Sequence, residues 1–265
     1  MWKISYLLHL FCEISFFKTV WFNFRFLPLR QAIYIPILIY PRVQMIGLYR
    51  GCIKLPQNVH FGSVKIGFAN WPIAPTKNVY TLLRFEKNGI LTLGDKCTFK
   101  CGFSICVYKN AHLAIGNDFI TNMDSKILCK KKIVIGNHCR LGWNVQIYDS
   151  NFHFIYNEQN QCISPCHGNV VIKDNVWITN QCTVSKGSVI PSFSMLASGS
   201  LLCKDFSDVT TKGNVFAGRP AKLLSTGAYR IINLNTEHFL LNYFENNPNA
   251  KVYKVDSFDE SMFAC

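Results

Sequence analysis

Ile172-Lys173-Asp174-Asn175-Val176-Trp177-Ile178-Thr179-Asn180-Gln181-Cys182-Thr183-Val184 opens a stretch, residues 172–202, that keeps a six-residue beat. Ile172, Ile178, Val184, Ile190, Leu196 and Leu202 share one phase, and four residues after the first five come Val176, Cys182, Ser188, Ser194 and Ser200. With one residue in four aliphatic, such a run arises by chance roughly once in 4,000 placements. One aliphatic and one small or β-branched position per hexapeptide predicts a parallel β-helix, each hexapeptide forming one flat side of a triangular coil. The aliphatic side chain fills the interior and the small one turns the corner.

Upstream the beat continues with shifts of phase. Leu93, Phe99 and Ile105 form one block, Ile115 and Ile127 another, and Ile135, Leu141 and Ile147 a third, with Gly94, Gly116, Gly136 and Gly142 directly after aliphatics. The shifts predict loops of a few residues leaving at corners, in a coil running from about Val59 to Leu202. A helical reading fails because the interval is six, not 3.6, and Gly, Asn and Thr are frequent. Antiparallel strands would alternate without a glycine beat.

The 265 residues divide on this reading into an apolar, aromatic segment 1–58, a coil domain 59–225 and a tail 226–265. Solenoids lengthen by adding coils, so one domain with appendages accounts for the length. Met1 to Tyr40 is crowded with Phe and Trp, but Lys3, Glu13, Lys18, Arg25 and Arg30 interrupt it. Its uncharged runs fall short of the roughly 18 residues that span a bilayer, and no small-residue cleavage site follows the apolar run. Two readings stay open for residues 1–40: helices capping the coil's end, or an interfacial helix resting on a membrane surface. Downstream, Phe216 to Lys222 reads as a closing loop, Glu237 to Asn246 as a short amphipathic helix, Lys251 to Val255 as a strand, and Asp256 to Cys265 as a loose acidic end.

The charge balance, 28 − 15 = +13, favours anionic partners. No basic run with interleaved aromatics resembles a nucleic-acid module, so no nucleic-acid partner is expected. Of the twelve cysteines, Cys97, Cys139 and Cys182 occupy the small inward position and read as packing residues. No pair has zinc-ribbon spacing and no metal is expected. Free thiols in this number suit a reducing cytoplasm.

The register breaks most widely between Ile147 and Ile172, a distance of 172 − 147 = 25 that is no multiple of six. A loop must leave the coil there, and it contains Asp149, Asn151 and His153. A loop on a rigid scaffold is where function tends to be placed. An imidazole can accept a proton near neutral pH, and a carboxylate beside it can set its tautomer.

Together, the register, Asp149-Ser150-Asn151-Phe152-His153, Asp174-Asn175-Val176-Trp177-Ile178 and Ala217-Gly218-Arg219-Pro220-Ala221-Lys222 resemble the left-handed β-helix acetyltransferases. Within them the chain is most similar to the polysaccharide and sugar O-acetyltransferases, over roughly residues 90 to 225. The resemblance implies an all-β, left-handed coil with helical appendages, an exception to the usual right-handed crossover. It also implies a cytoplasmic enzyme that takes acetyl-CoA as donor and acts on a hydroxyl of a surface-polysaccharide sugar; the basic charge and aromatic amino terminus would suit work at the inner face of the cell membrane. His153 then matches the catalytic base and Asp149 a residue orienting the imidazole or the acceptor. Trp177 matches the tryptophan beside the pantetheine arm, with Asn180 farther along the edge and Ser198 and Gly199 where the arm nears backbone. Lys204, Arg219 and Lys222 match or adjoin basic positions near the donor's phosphates. The resemblance further implies a homotrimer, with His153 of one chain facing Trp177 or Lys204 of another.

Three departures mark this chain: Asn151 in place of a second aspartate, Thr179 in place of glycine, and Arg219 in the variable place of the closure. Asn151 keeps hydrogen-bonding capacity toward a sugar but not negative charge. Other readings stay open. One is N-acetylation of a nucleotide-linked amino sugar; another is a covalent route through Cys162 or Cys166. A zinc carbonic anhydrase using His138, His153 and His167 and a non-catalytic β-helix assembly protein are the others.

Overall fold

A computed structural model describes residues 14–68 and 79–255. Both columns of the beat point inward: Ile172, Ile178, Val184, Ile190, Leu196 and Leu202 are buried, as are Val176, Cys182, Ser188, Ser194 and Ser200. Ile172 pairs with Ile190, Ile178 with Leu196 and Val184 with Leu202, so three hexapeptides close one coil. Setting aside the inserted hairpin of residues 155–164, each strand up to Thr183–Val184 pairs in parallel with the third strand after it, which makes three parallel faces.

The first face runs from Ile37–Ile39 through Val64–Phe68, Cys97–Lys100, Ile120–Thr121, Arg140–Leu141, Trp177–Ile178 and Ser194–Leu196 to Asn214–Gly218. The second runs from Val43–Ile46 through Thr81–Phe85, Ser104–Val107, Lys126–Cys129, Gln146–Tyr148 and Thr183–Val184 to Leu201–Leu202. The third runs from Ile53–Lys54 through Ile90–Leu93, His112–Ile115, Lys132–Ile135 and Val170–Ile172 to Val189–Ile190. Three corners join them, here called first (first to second face), second (second to third) and third (third to first).

Residues in the left-handed backbone region turn these corners. Lys96, Asp118, His138, Asn175 and Phe193 do so at the third corner, and Asn144, Gln181 and Gly199 at the first. At the third corner, side-chain oxygens stitch successive rungs. Asn117 Oδ1 accepts from Asp95 N (2.9 Å), Asn137 Oδ1 from Asn117 N (2.8 Å) and Asp174 Oδ1 from Asn137 N (2.6 Å). The ladder explains the glycine beat: a Cβ on Gly136 would stand 2.4 Å from Asp174 Oδ1. Buried backbone groups are thereby paired without leaving the coil.

The coil interior is one continuous apolar column. Phe99, Phe103 and Phe119 fill its middle with ring centroids 5.4 and 5.6 Å apart. Phe206 on Phe216, 4.6 Å apart, plugs one end. At the other end lies helix α1 (Phe16–Phe26), followed by the short α2 (Leu29–Ala32). Thr19 Oγ1 accepts from Ile39 N (3.0 Å), Asn23 Oδ1 accepts from Ile37 N (3.1 Å), and Asn23 Nδ2 donates to Ile37 O (2.7 Å). These side chains satisfy the open edge of the first strand, which would otherwise invite another chain to pair.

Several expectations change. Rungs begin at Ile37, not near Val59, because the early steps are too irregular to show a period. The closing segment is a hairpin, Asn214–Gly218 against Ala221–Ser225, not a loop. Helix α3 (Leu234–Asn246) starts three residues earlier than expected and buries none of its residues in the single chain. Lys251–Val255 forms no strand; Tyr253 instead packs on α3 against Phe239 and Tyr243. The tail from Asp256 and the first residues, Met1 to Glu13, lie outside the described residues. No helix among the described residues is long and apolar enough to cross a membrane.

Candidate active site

The interval from Ile147 to Ile172 exceeds one hexapeptide by 25 − 6 = 19 residues, and the excess forms an arm at the second corner. The arm is an antiparallel hairpin, Ile155–Asn157 against Cys162–Ser164. Its base is stitched by Asn151 N to Cys166 O (2.7 Å) and Gly168 N to Asp149 O (2.9 Å). Lys186 Nζ also donates to Pro165 O (2.8 Å).

His153 lies at the root of this hairpin, exposed and with no hydrogen-bond partner among the described residues. Its neighbour Phe152 is tied down: Lys130 Nζ stands 5.0 Å from the Phe152 ring centre and 5.1 Å from that of Tyr108. An ammonium between two aromatic faces is attracted to both. The arm's root is thus fixed to two rungs of the coil while its imidazole stays accessible. Asn151 sits two residues away, half-buried.

Asp149 does not reach toward His153. It is fully buried, and its carboxylate accepts from Lys130 N (2.7 Å), Lys131 N (2.7 Å) and Lys132 N (2.8 Å). Three charge-assisted bonds to consecutive amides are a strong clamp. The expected orienting role is therefore corrected: Asp149 holds the coil's turn at the place where the arm departs. The physical reason is register, since Asp149 follows Ile147 by two and so points into the corner, not along the arm.

The remaining expected site residues lie elsewhere. Lys204 shares the second corner with the arm, exposed, its Nζ 5.6 Å from the Phe206 ring centre. Asn180, Ser198 and Gly199 turn the first corner. There Asn180 Oδ1 accepts from Trp143 N (3.1 Å), and Ser198 Oγ donates to Thr179 Oγ1 (3.0 Å), which itself donates to Leu196 O (2.7 Å). Thr179, at the position where the resemblance implies glycine, thus links the exposed Ser198 hydroxyl to the Leu196 carbonyl. Arg219 and Lys222 are exposed on the closing hairpin, tied to the first corner by Gly218 N to Ser200 Oγ (3.1 Å).

Trp177 projects from the first face, and Arg230 of the tail covers it at 4.8 Å from the ring centre. Asn175, Phe193, Met195 and Tyr229 line the pocket beside it. That covering was not foreseen. Nor was Trp143, 47% exposed at the first corner directly before Asn180 in the stack. Its position after Gly142 was the available signal.

One chain thus brings together the arm, Asn151, His153 and Lys204, and separately Asn180, Ser198, Gly199, Arg219 and Lys222. The second face, through Gln146–Tyr148, Thr183–Val184 and Leu201–Leu202, lies between these two groups. His138 is at the third corner, with Nδ1 3.0 Å from Asp118 Oδ2, away from His153 and His167 at the second. Among the described residues no three His, Cys, Asp or Glu side chains are grouped to hold a metal ion.

The thiols divide sharply. Of ten described cysteines all are free, and only Cys162 and Cys203 are exposed. Burial pushes the Cys97 and Cys139 thiols up to about 12, which suppresses the reactive thiolate. Cys166 Sγ lies 3.0 Å from His167 Nδ1 at the arm's base. A thiol reagent added to the native protein is expected to label Cys162 and Cys203 first among these ten, as peptide mapping by mass spectrometry would show. Equal labelling of Cys97 or Cys139 would contradict their place in the core.

No family model matches the chain. Among solved structures, the polySia specific acetyltransferase NeuO superposes with a TM-score of 0.51 at 16% identity, covering 78% of this chain and 97% of that one. The chain has that acetyltransferase's fold. The left-handed β-helix implied by the family resemblance is therefore the architecture. The polysialic acid O-acetyltransferase OatWY aligns at 24% identity over 78% of this chain and 94% of that one, with a TM-score of 0.47. A hexapeptide-repeat acetyltransferase from Vibrio cholerae, complexed with acetyl coenzyme A, covers 47% of this chain and 64% of its own, at 24% identity and a TM-score of 0.39.

Proposed function

We propose that this chain is an acetyl-CoA-dependent O-acetyltransferase acting on a sugar hydroxyl of a surface polysaccharide. The observation that carries the reading is His153, exposed at the root of an arm that Asp149, Lys130 and Tyr108 fix to a rigid coil. An accessible imidazole on a fixed root is suited to deprotonating a bound hydroxyl. The fold shared with an acetyltransferase agrees with it.

In the reaction, His153 accepts the acceptor's hydroxyl proton as that oxygen attacks the thioester carbonyl carbon. The tetrahedral adduct collapses, the carbon–sulfur bond breaks, and the departing thiolate takes the proton back from the imidazolium. No acyl-enzyme is needed, so Cys162 and Cys166 have no part. Asn151, two residues from the base, offers an amide to the sugar.

The donor fits the first corner, where Trp143 offers an apolar ring and Ser198 a hydroxyl, and Arg219 and Lys222 supply positive charge for phosphates. Since His153 stands at the second corner, the donor it serves belongs to an adjoining copy. A homotrimer of threefold symmetry joins first corners to second corners all the way round. The arm's exposed Phe154, Ile155, Tyr156 and Ile163 form an apolar surface that such a contact would bury. The test is release of free CoA thiol by purified chain, acetyl-CoA and a panel of acceptors. Turnover with a hydroxyl sugar polymer is expected. Turnover only with amino sugars would overturn O-transfer, and none with any acceptor would overturn the reading.

A further inference from the structure

Helix α1 is apolar on two sides. One stripe, Thr19, Phe22, Asn23 and Phe26, is buried against the first rungs. The other consists of Phe17, Trp21 and Phe24 at helical spacing, and these are 85%, 52% and 45% exposed. Phe16 beside it and Leu29, Ile33 and Tyr34 after it extend the exposed surface. A surface helix ordinarily turns polar residues outward, so capping the coil explains only the buried stripe.

Charge selects the partner. From residue 14 to residue 85 the sequence holds nine Lys and Arg and no Asp or Glu, whereas the chain as a whole has fifteen acidic residues. Lys18, Arg25, Arg30, Arg42 and Arg50 are all exposed. Exposed aromatics flanked by basic residues, with no acidic side chain nearby in sequence, match an anionic lipid surface, where rings enter the headgroup boundary and cations meet phosphates. A purely electrostatic partner such as nucleic acid would leave the aromatic stripe without a use.

We infer that the α1 end of the coil docks on anionic lipid bilayers, with Phe17, Trp21 and Phe24 inserted at the interface and Lys18, Arg25 and Arg30 against the headgroups. The inference is independent of the chemistry at His153. It places the coil beside a membrane, where lipid-linked or growing glycans would be the acceptors within reach.

The test is cosedimentation of the full chain with vesicles of phosphatidylglycerol and phosphatidylcholine in equal parts, against phosphatidylcholine alone. Binding to the anionic vesicles, weakened by salt, is expected. The double variant Phe17→Ser, Trp21→Ser should lower partitioning about tenfold or more, with an unchanged circular dichroism spectrum. Phe17 is 85% exposed, and any fall in melting temperature comes from the Trp21 contact with Phe26, so the single variant Phe17→Ser, expected to lower partitioning at an unchanged melting temperature, is measured beside it. Lys18→Gln, Arg25→Gln, Arg30→Gln should lower it on anionic vesicles only. Absence of vesicle binding overturns the inference, as does binding that survives loss of the two aromatics. A double variant that loses self-association in place of lipid binding also overturns it, making a second copy the occupant.

Discussion

Replacing His153 by Ala is expected to lower acceptor-dependent CoA release by about 10²–10⁴-fold, the usual worth of a positioned general base. The coil should be untouched, since the imidazole is exposed and has no hydrogen-bond partner among the described residues. Its melting temperature should therefore stay within a degree or two of wild type, surface changes being worth about 0.5 kcal/mol or less. Unchanged turnover in this variant would remove His153 from the chemistry and favour a non-catalytic β-helix. Loss of turnover accompanied by unfolding would show that the residue's role is structural.

Asp149→Ala is expected to do the reverse. It leaves the amides of Lys130, Lys131 and Lys132 without the carboxylate that now accepts from all three. These bonds are part-buried; a fully buried orphaned donor costs about 1–3 kcal/mol, so a loss on the order of 3 kcal/mol is expected for the set. In a chain of this size that corresponds to a melting temperature lower by roughly 10 °C. Turnover per folded molecule, measured well below the new midpoint, should fall far less than in His153→Ala. If Asp149→Ala matched His153→Ala in rate while keeping its melting temperature, Asp149 would be the imidazole's partner after all.

The contrast shows what could be read from the residues. The inward columns were legible because one geometry repeats, so every aliphatic from Ile172 to Leu202 restates it. The arm was legible as a number, 25, that breaks the repeat. Asp149's role was hidden, because nearness to His153 in sequence suggests a pair, whereas its partners lie on the preceding coil and only the rung register brings them close. The same holds for Trp177. Nothing local announces that Arg230, fifty-three residues later (230 − 177), returns to cover its ring. The earliest rungs were obscured by unequal corner loops between Ile37, Val43 and Ile53. Helix α1 was visible as an aromatic segment, but its two stripes are separable only once the strand Ile37–Ile39 shows which side it meets.

The arrangement also explains why the second corner can carry chemistry without loosening the coil. The clamp at Asp149 and the Lys130 contact anchor the arm's root, while the ladder of Asn117, Asn137 and Asp174 stabilises a different corner. Stacked coils contribute to stability through contacts with their neighbours, so an insertion between two rungs disturbs only its own corner.

A crystal structure of the protein with coenzyme A and a sugar acceptor tests the central claim most directly. The account predicts the donor's sulfur end between two copies of the chain, with the His153 imidazole of one copy within hydrogen-bond reach, roughly 3 Å, of the acceptor hydroxyl. Coenzyme A bound within one chain, or bound with His153 turned away from both substrates, would contradict it.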